Sequence, residues 1–302
     1  MIELNDDKYF FEFSDKNVPV LCVKPGDTVR VHTRDCFSNQ LQPPAGNIGA
    51  LDWDNINPAT GPICIDGAQA GTVLKVKIES IDFAASACMC TGEDEGVMGD
   101  IFTGGLTNVF RPVVDGKLIW SDKIVLEPRP MIGVIGVAPK DGAAINCGTP
   151  GSHGGNMDNT MVAPGATLYF PVAVDGALFG CGDMHAVMGD GEIGVSGGEI
   201  AGWPTLTFDV LTDRALDNPV LENDESFSTI ASAPTLDEAC TIAVHDMVAI
   251  IKAFAADCPP DDELVMLLSL CGNVEVCQIV DPMKTARFVV PKYVLAGLGF
   301  AW

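Results

Sequence analysis

Between Gly182 and Glu192 the chain reads GDMHAVMGDGE, placing Asp183, His185, Asp190 and Glu192 among glycines directly after an apolar, strand-like run. Carboxylates and an imidazole on a tightly turning loop can converge on a cation, or can hold and pass a proton. Acidic residues among glycines are also ordinary turn chemistry, so the spacing alone leaves both readings open. A second loop of the same character, KDGAAINCGTPGSHGGNMDN, carries His153, Asn156 and Asp158. A third candidate is Asp35, in HTRDCFSNQ, where the chain leaves the strand-like DTVRVHT; its plain alternative is a turn cap or a partner for Arg34.

Those loops need a scaffold, and the apolar periodicity supplies one. Residues 18–23 and 27–33 read as a hairpin about Pro25-Gly26-Asp27, and 106–114 with 117–120 as another about Asp115-Gly116. In 73–81, Leu74, Val76 and Ile78 alternate with Lys75, Lys77 and Glu79, the period of a strand with one buried face. MIGVIGVAP (131–139) is apolar throughout and reads as a strand buried on both faces. Residues 43–72, rich in Pro, Gly, Asn and Asp, read as a long loop with a short strand at 63–65. The C-terminal third differs. The stripe Leu236, Ala239, Cys240, Ala243, Val244, Met247, Ile250, Ile251 and Phe254 predicts a helix, opened by Thr235 with Glu238 in capping-box spacing. His245 falls outside that stripe. A second helix is expected after Pro259-Pro260, with three acids in its first turn and a stop at Gly272, and 274–280 returns as a strand. The pattern is α+β and β-rich: mixed sheets or a sandwich with a few packed helices, expected as one domain over 1–302, without parallel βαβ repetition.

Composition narrows the function. A chain of 302 residues, 47% hydrophobic, builds a substantial core. With 41 acidic against 17 basic residues the formal charge is −24, which opposes contact with nucleic acid or anionic lipid. No apolar span of membrane length and no basic leader stand in the sequence, and eleven scattered cysteines read as small buried hydrophobes, so the expected location is the cytoplasm. Cys88 and Cys90 form C-x-C without a second pair at zinc-ribbon spacing. Two motifs fail on context. Pro150-Gly151-Ser152-His153-Gly154 lacks the glycine two before serine that a nucleophile elbow needs. Gly189 to Gly194 satisfies G-x-G-x-x-G, but the glycine- and proline-bearing residues after it cannot open a helix.

In this order, GPICIDGAQAGTVLKVKI, HGGNMD, GATLYFPVAVDGALFGCGDMHAVMGDGEIG and LLSLCGNVEVCQIVDPMKTARFVVPKYVL resemble the acetamidase/formamidase family over most of the chain. The resemblance implies a β-rich fold with helices on the sheets, hydrolysis of a short amide to carboxylate and ammonia, and a homo-oligomer; related members are linked to lactam opening. It also implies that Asp183, His185, Asp190, Glu192 and Glu199 occupy the family's acidic, histidine-bearing loop, that His153, Asn156 and Asp158 occupy its HGGN-x-D loop, and that Asp35 matches an early R-D aspartate. Met184 and Asn273 depart from the pattern, toward a narrower pocket or a different substrate.

Amide hydrolysis requires an activated water, a stabiliser for the oxyanion and an acid for the departing nitrogen. The expectation is that Asp35, His153 and His185 coordinate a divalent metal, zinc first and calcium as an oxygen-rich alternative. Asp183 or Glu192 then serves as general base, with Asp190 and Asn156 in the same catalytic group. Two rivals remain: a Cys181 thiolate, for which no paired base is visible, and a non-enzymatic protein that binds calcium or a small molecule on the same scaffold.

Overall fold

The computed structural model describes residues 1–302. Its strands gather into two large sheets. The nine-stranded sheet runs, edge to edge, through Ile2–Leu4, Thr28–Val31, Gly202–Leu211, Val73–Phe83, Thr167–Pro171, Val220–Glu222, Ser226–Ala233, Lys284–Pro291 and Asn273–Gln278. The eleven-stranded sheet centres on Phe179–His185, flanked on one side by Met131–Gly136 and on the other by Ala59–Ile65 and Glu199–Ile200. Leu74, Val76, Ile78, Leu168, Phe170 and Phe208 of the first sheet share one buried cluster with Ile63, Ile132, Ile135, Phe179 and Cys181 of the second. The sheets are therefore stacked as a sandwich.

The opposite face of the nine-stranded sheet is covered by helices α1 (Leu236–Phe254), α2 (Asp261–Cys271) and α3 (Lys292–Gly297). Ala243, Met247, Ile250, Ile251, Leu264 and Leu268 pack there against Tyr169, Phe227, Phe288 and Val290. The expected stripe is thus the buried face of α1, and His245 is exposed. Thr235 caps α1 by accepting the Glu238 N–H at 3.3 Å, as the sequence predicts. The fold is β-rich with its helices in the C-terminal third.

Most strand expectations hold, including the all-buried Met131–Gly136 and the hairpin at Asp115-Gly116, where φ of 50° and 77° gives the left-handed pair that a two-residue hairpin turn requires. One pairing differs. Leu21–Val23 lies parallel to Ala59–Ile65 in the eleven-stranded sheet, whereas Thr28–Val31 joins Ile2–Leu4 and Gly202–Leu211 in the other. Pro25-Gly26-Asp27 is a crossing between sheets instead of a hairpin turn, and the Gly26 N–H donates to the Phe208 carbonyl of the nine-stranded sheet at 2.7 Å. Helix α3 was not apparent in the sequence, because six residues are too few to show a helical period.

Candidate active site

The site begins as a break in strand alternation. On Phe179–His185 the side chains joining the sandwich core are Phe179 and Cys181, then Met184 and Ala186; on the neighbouring strand they are Ile132, then Ile135. Both strands reverse parity at the same level. Asp183 sits at the reversal with φ 56°, in the left-handed region that costs an ordinary residue free energy. Asp183 and His185 thereby leave the core face. Gly133, across from them, cannot be larger: a Cβ there would stand 2.5 Å from Asp158 Oδ1 and 2.7 Å from Asp183 Oδ2. A Cβ at Gly197 would stand 2.5 Å from His185 Nδ1. The glycines of these loops make room for charged side chains.

His185 is fully buried, and its Nε2 lies 3.1 Å from Glu199 Oε2, 3.3 Å from Asp183 Oδ1 and 3.8 Å from Asp158 Oδ1. Glu199 is held by the Gly197 N–H, which donates to Oε1 at 2.8 Å. Asp158 and Glu192 share with Asp183 a positive φ, 43° and 49°. Asp281 arrives from the turn after Asn273–Gln278 and accepts from Asn156 Nδ2 at 2.8 Å. Asn156, Asp183, Glu192, Glu199 and Asp281 line a cavity of about 290 Å³, with Phe37, Trp53, Ile56 and Pro282 supplying apolar wall. That volume suits a molecule of a few heavy atoms.

Five carboxyl groups here face one imidazole, and none of them forms an ion pair with lysine or arginine. Burial pushes Asp158, Glu192 and Asp281 well above the usual carboxylate range, and holds Glu199 at about 7. Burial also raises Asp183, but the His185 charge together with hydrogen bonds to His185 and Glu199 outweighs it, and its pKa is lowered. For His185 burial works toward neutrality, yet Glu199 and Asp183 hold the imidazolium well above its ordinary value. Several atoms of the cluster have no hydrogen-bond partner: both Asp158 oxygens, Asn156 Oδ1, Glu199 Oε2 and His185 Nδ1. Buried carboxylates in excess, with unpaired oxygens, are what a divalent cation satisfies. Two sets of donor atoms fall within 4.8 Å of one another: Asp158, His185 and Glu192, and Cys36, Asp183 and Glu199. The residues present fit a metal.

The profile of the Acetamidase/Formamidase family matches residues 7–142 and 117–236. The chain belongs to this family. Its fold superposes on the predicted acetamidase/formamidase of Thermoanaerobacter tengcongensis with a TM-score of 0.96 at 48% identity, covering 100% of this chain and 99% of that one. The acetamidase of Bacillus halodurans matches with a TM-score of 0.94 at 40% identity, over 99% and 100% of the two chains. The formamidase of Methylophilus methylotrophus is 24% identical over 67% of this chain and 65% of its own length. The match thus covers less than two thirds of that relative's length.

The three loops singled out in the sequence do meet in this family fold, through partly different residues. From the early loop it is Cys36, not Asp35, that stands among donor atoms. The Asp35 carboxylate accepts from the Asn39 N–H at 2.7 Å, and burial raises it to about 6. From the HGGN loop come Asn156 and Asp158, while His153 borders a separate cavity beside Lys140 and Pro171. Its ring meets Phe13 edge-on, burial lowers its pKa to about 4, and its two nitrogens are pressed toward Gly151 and Gly155. Asp35, His153 and His185 are therefore not gathered as one ligand set. Asp190 is exposed and paired with Arg287, Nη2 to Oδ2 at 2.6 Å, outside the acid cluster. Cys181 lies in the apolar core, where burial pushes its thiol up. Asp281 was missed: an Asp-Pro after a strand reads as turn chemistry, and only the family-like stretch around it pointed further.

Proposed function

We propose that the chain hydrolyses a short linear amide of the formamide or acetamide type to a carboxylate and ammonia. The observation that carries this reading is the cluster of four buried carboxyl groups about His185, with the half-buried Asp281 beside them, opening onto a small cavity, in a chain of the acetamidase/formamidase family. Asp158, His185 and Glu192 would hold a divalent cation, with Cys36, Asp183 and Glu199 as a second donor set. Nitrogen and sulfur among the donors favour zinc, while the surplus of carboxylate oxygen also suits calcium. When bound, such an ion supplies Lewis-acid polarisation of the carbonyl and an acidified water.

The chain's own groups supply the rest. Glu192 offers one oxygen to the donor set with Asp158 and His185 and stands on the cavity wall, so its other oxygen is placed to take the proton of the attacking water and return it to the departing nitrogen. Because Asn156 Nδ2 donates to Asp281, its free Oδ1 is left to accept from the substrate's NH₂. This selects a primary amide over an N,N-dialkylated one. Phe37, Trp53 and Ile56 exclude water around the acyl group and limit its length. Residence in the cytoplasm and assembly into a homo-oligomer belong to the same reading; eleven free cysteines and the exposed Val265, Met266 and Leu270 of α2 support it.

The test is ammonia release from formamide and acetamide by wild type and by Glu192→Gln. Turnover in the wild type, lost in Glu192→Gln with the fold retained, upholds the reading. A wild-type protein that binds a cation stoichiometrically yet releases no ammonia from either amide would mark it instead as a binding protein.

A further inference from the structure

Arg287 lies outside the cavity, on the strand Lys284–Pro291 of the nine-stranded sheet, with its side chain 4% exposed. Its Nη2 donates to Asp190 Oδ2 at 2.6 Å, and its Nη1 to Asn159 Oδ1 at 2.7 Å and to Thr160 Oγ1 at 3.2 Å. Its Nε donates to Glu275 Oε2 at 2.7 Å. Thr160 Oγ1 closes the ring by donating to Asp190 Oδ1 at 2.6 Å. One rigid guanidinium therefore ties together two loops: Asn159 directly follows Asp158, and Asp190 stands two residues before Glu192. Those are the two carboxylates that reach His185 from separate loops, both at positive φ. The loop ahead of Glu192 is further stitched to the nine-stranded sheet by the Gly191 N–H to the Cys277 carbonyl at 2.8 Å.

We propose that Arg287 and Asp190 form a positioning clamp that fixes the separation of Asp158 and Glu192 and so sets the affinity of their donor set for a divalent cation. The proposal rests on the metal-dependent amidase reading above, and assigns Asp190 and Arg287 a role at that site without contact with substrate. An isolated pair on the surface contributes little. Here a planar fork with four partners is buried at the base of two strained loops, and shifting it moves both carboxylates against each other. Strain of that kind persists only where the surroundings over-determine it.

The experiment measures zinc affinity by competition with a chromophoric chelator, alongside kcat and KM for formamide, in wild type, Asp190→Ala, Asp190→Glu and Thr160→Val. The control is Tyr169→Phe, which removes the Tyr169 hydroxyl bond to Glu222 beside the helical layer. Asp190→Ala is expected to weaken zinc about ten- to a hundredfold and to lower kcat while KM changes little, with cooperative unfolding preserved. Thr160→Val gives a smaller loss, Asp190→Glu recovers part of the affinity, and Tyr169→Phe binds zinc as wild type does. Zinc affinity and kcat of Asp190→Ala within twofold of wild type would overturn the clamp, as would an equal loss in Tyr169→Phe. A wild type that binds zinc but releases no ammonia removes the amidase reading alone, because the affinities are still compared. A wild type that binds no zinc removes the clamp.

Discussion

Two groups of acids meet on one loop, where Asp190 belongs to the first and Glu192 to the second, and they are treated in opposite ways. Asp190 and Glu275, with side chains 42% and 35% exposed, share the Arg287 guanidinium. Asp158, Asp183, Glu192 and Glu199 are buried and Asp281 is half-buried beside them; three of the five are strained, and the group has a single imidazole. The first group is neutralised by the chain itself and can act on the site only by holding its loops in position. The second carries a deficit of positive charge that folding alone leaves unmet, which is how a cation site differs from an ion-pair network.

The largest effect should come from deleting what the second group is built around. His185→Ala removes the only basic side chain among five carboxyl groups, and kcat/KM for formamide is expected to fall by about 10³-fold or more. Glu192→Gln, which keeps shape but loses the proton acceptor, should fall by about 10²- to 10⁴-fold. An equal loss on neutralising Asp190, which belongs to the first group, would erase the contrast. Next in size is the response to metal removal. A cation present at about 100 times its dissociation constant stabilises the fold by roughly 2.7 kcal/mol, so strong chelation should lower the melting temperature by several degrees. Readdition of zinc should restore it. Unchanged melting and activity after verified metal removal would abolish the cation reading.

Acidification acts on the buried carboxyls with a definite sign. Burial raises Glu199 from 4.5 to about 7 and Asp35 from 3.8 to about 6. A carboxyl whose folded pKa lies above its unfolded one favours folding below the unfolded value, and loses that contribution as pH rises through the folded one. The metal-free protein should therefore become less stable as pH climbs from about 4 to about 7, most steeply at about pH 5 to 6, where both groups are ionised in the unfolded chain and still protonated in the folded one. Bound cation, by favouring the ionised carboxylates, should flatten or invert that slope. Chemical denaturation at stepped pH, with and without zinc, reads both curves.

Periodicity revealed most of the scaffold, because each strand of the sandwich must alternate and the long helix must keep its stripe: Leu74, Val76 and Ile78 or Ala243, Met247 and Ile250 could hardly be read otherwise. The hairpin at Pro25 misled because a turn signal reports a change of direction and says nothing of which sheet receives the next strand. At the site, glycine with charge marked the right loops, but loops deliver side chains through backbone geometry that spacing does not encode. The parity reversal at Asp183 and the left-handed backbone of Asp158 and Glu192 decide which residues face inward. That is why Cys36 and Asp158 stand where Asp35 and His153 were expected, and why Asp281, some eighty residues further on, needed the folded chain to be seen.

The smallest effect is expected at the histidine that the comparison leaves out. His153 is buried like His185, yet it faces no carboxylate, its pKa falls to about 4, and neither ring nitrogen has a partner. Such an imidazole stays neutral at ordinary pH and carries unpaired polar atoms at a cost of about 1–3 kcal/mol. Replacing it by leucine removes that cost while opening some space against Phe13. The two terms oppose each other, so His153→Leu should shift stability by no more than about 1 kcal/mol and leave kcat/KM and zinc content within about threefold of wild type. A loss of zinc in this variant matching that in His185→Ala would place His153 in the ligand set after all, and the two histidines would have to approach each other on metal binding.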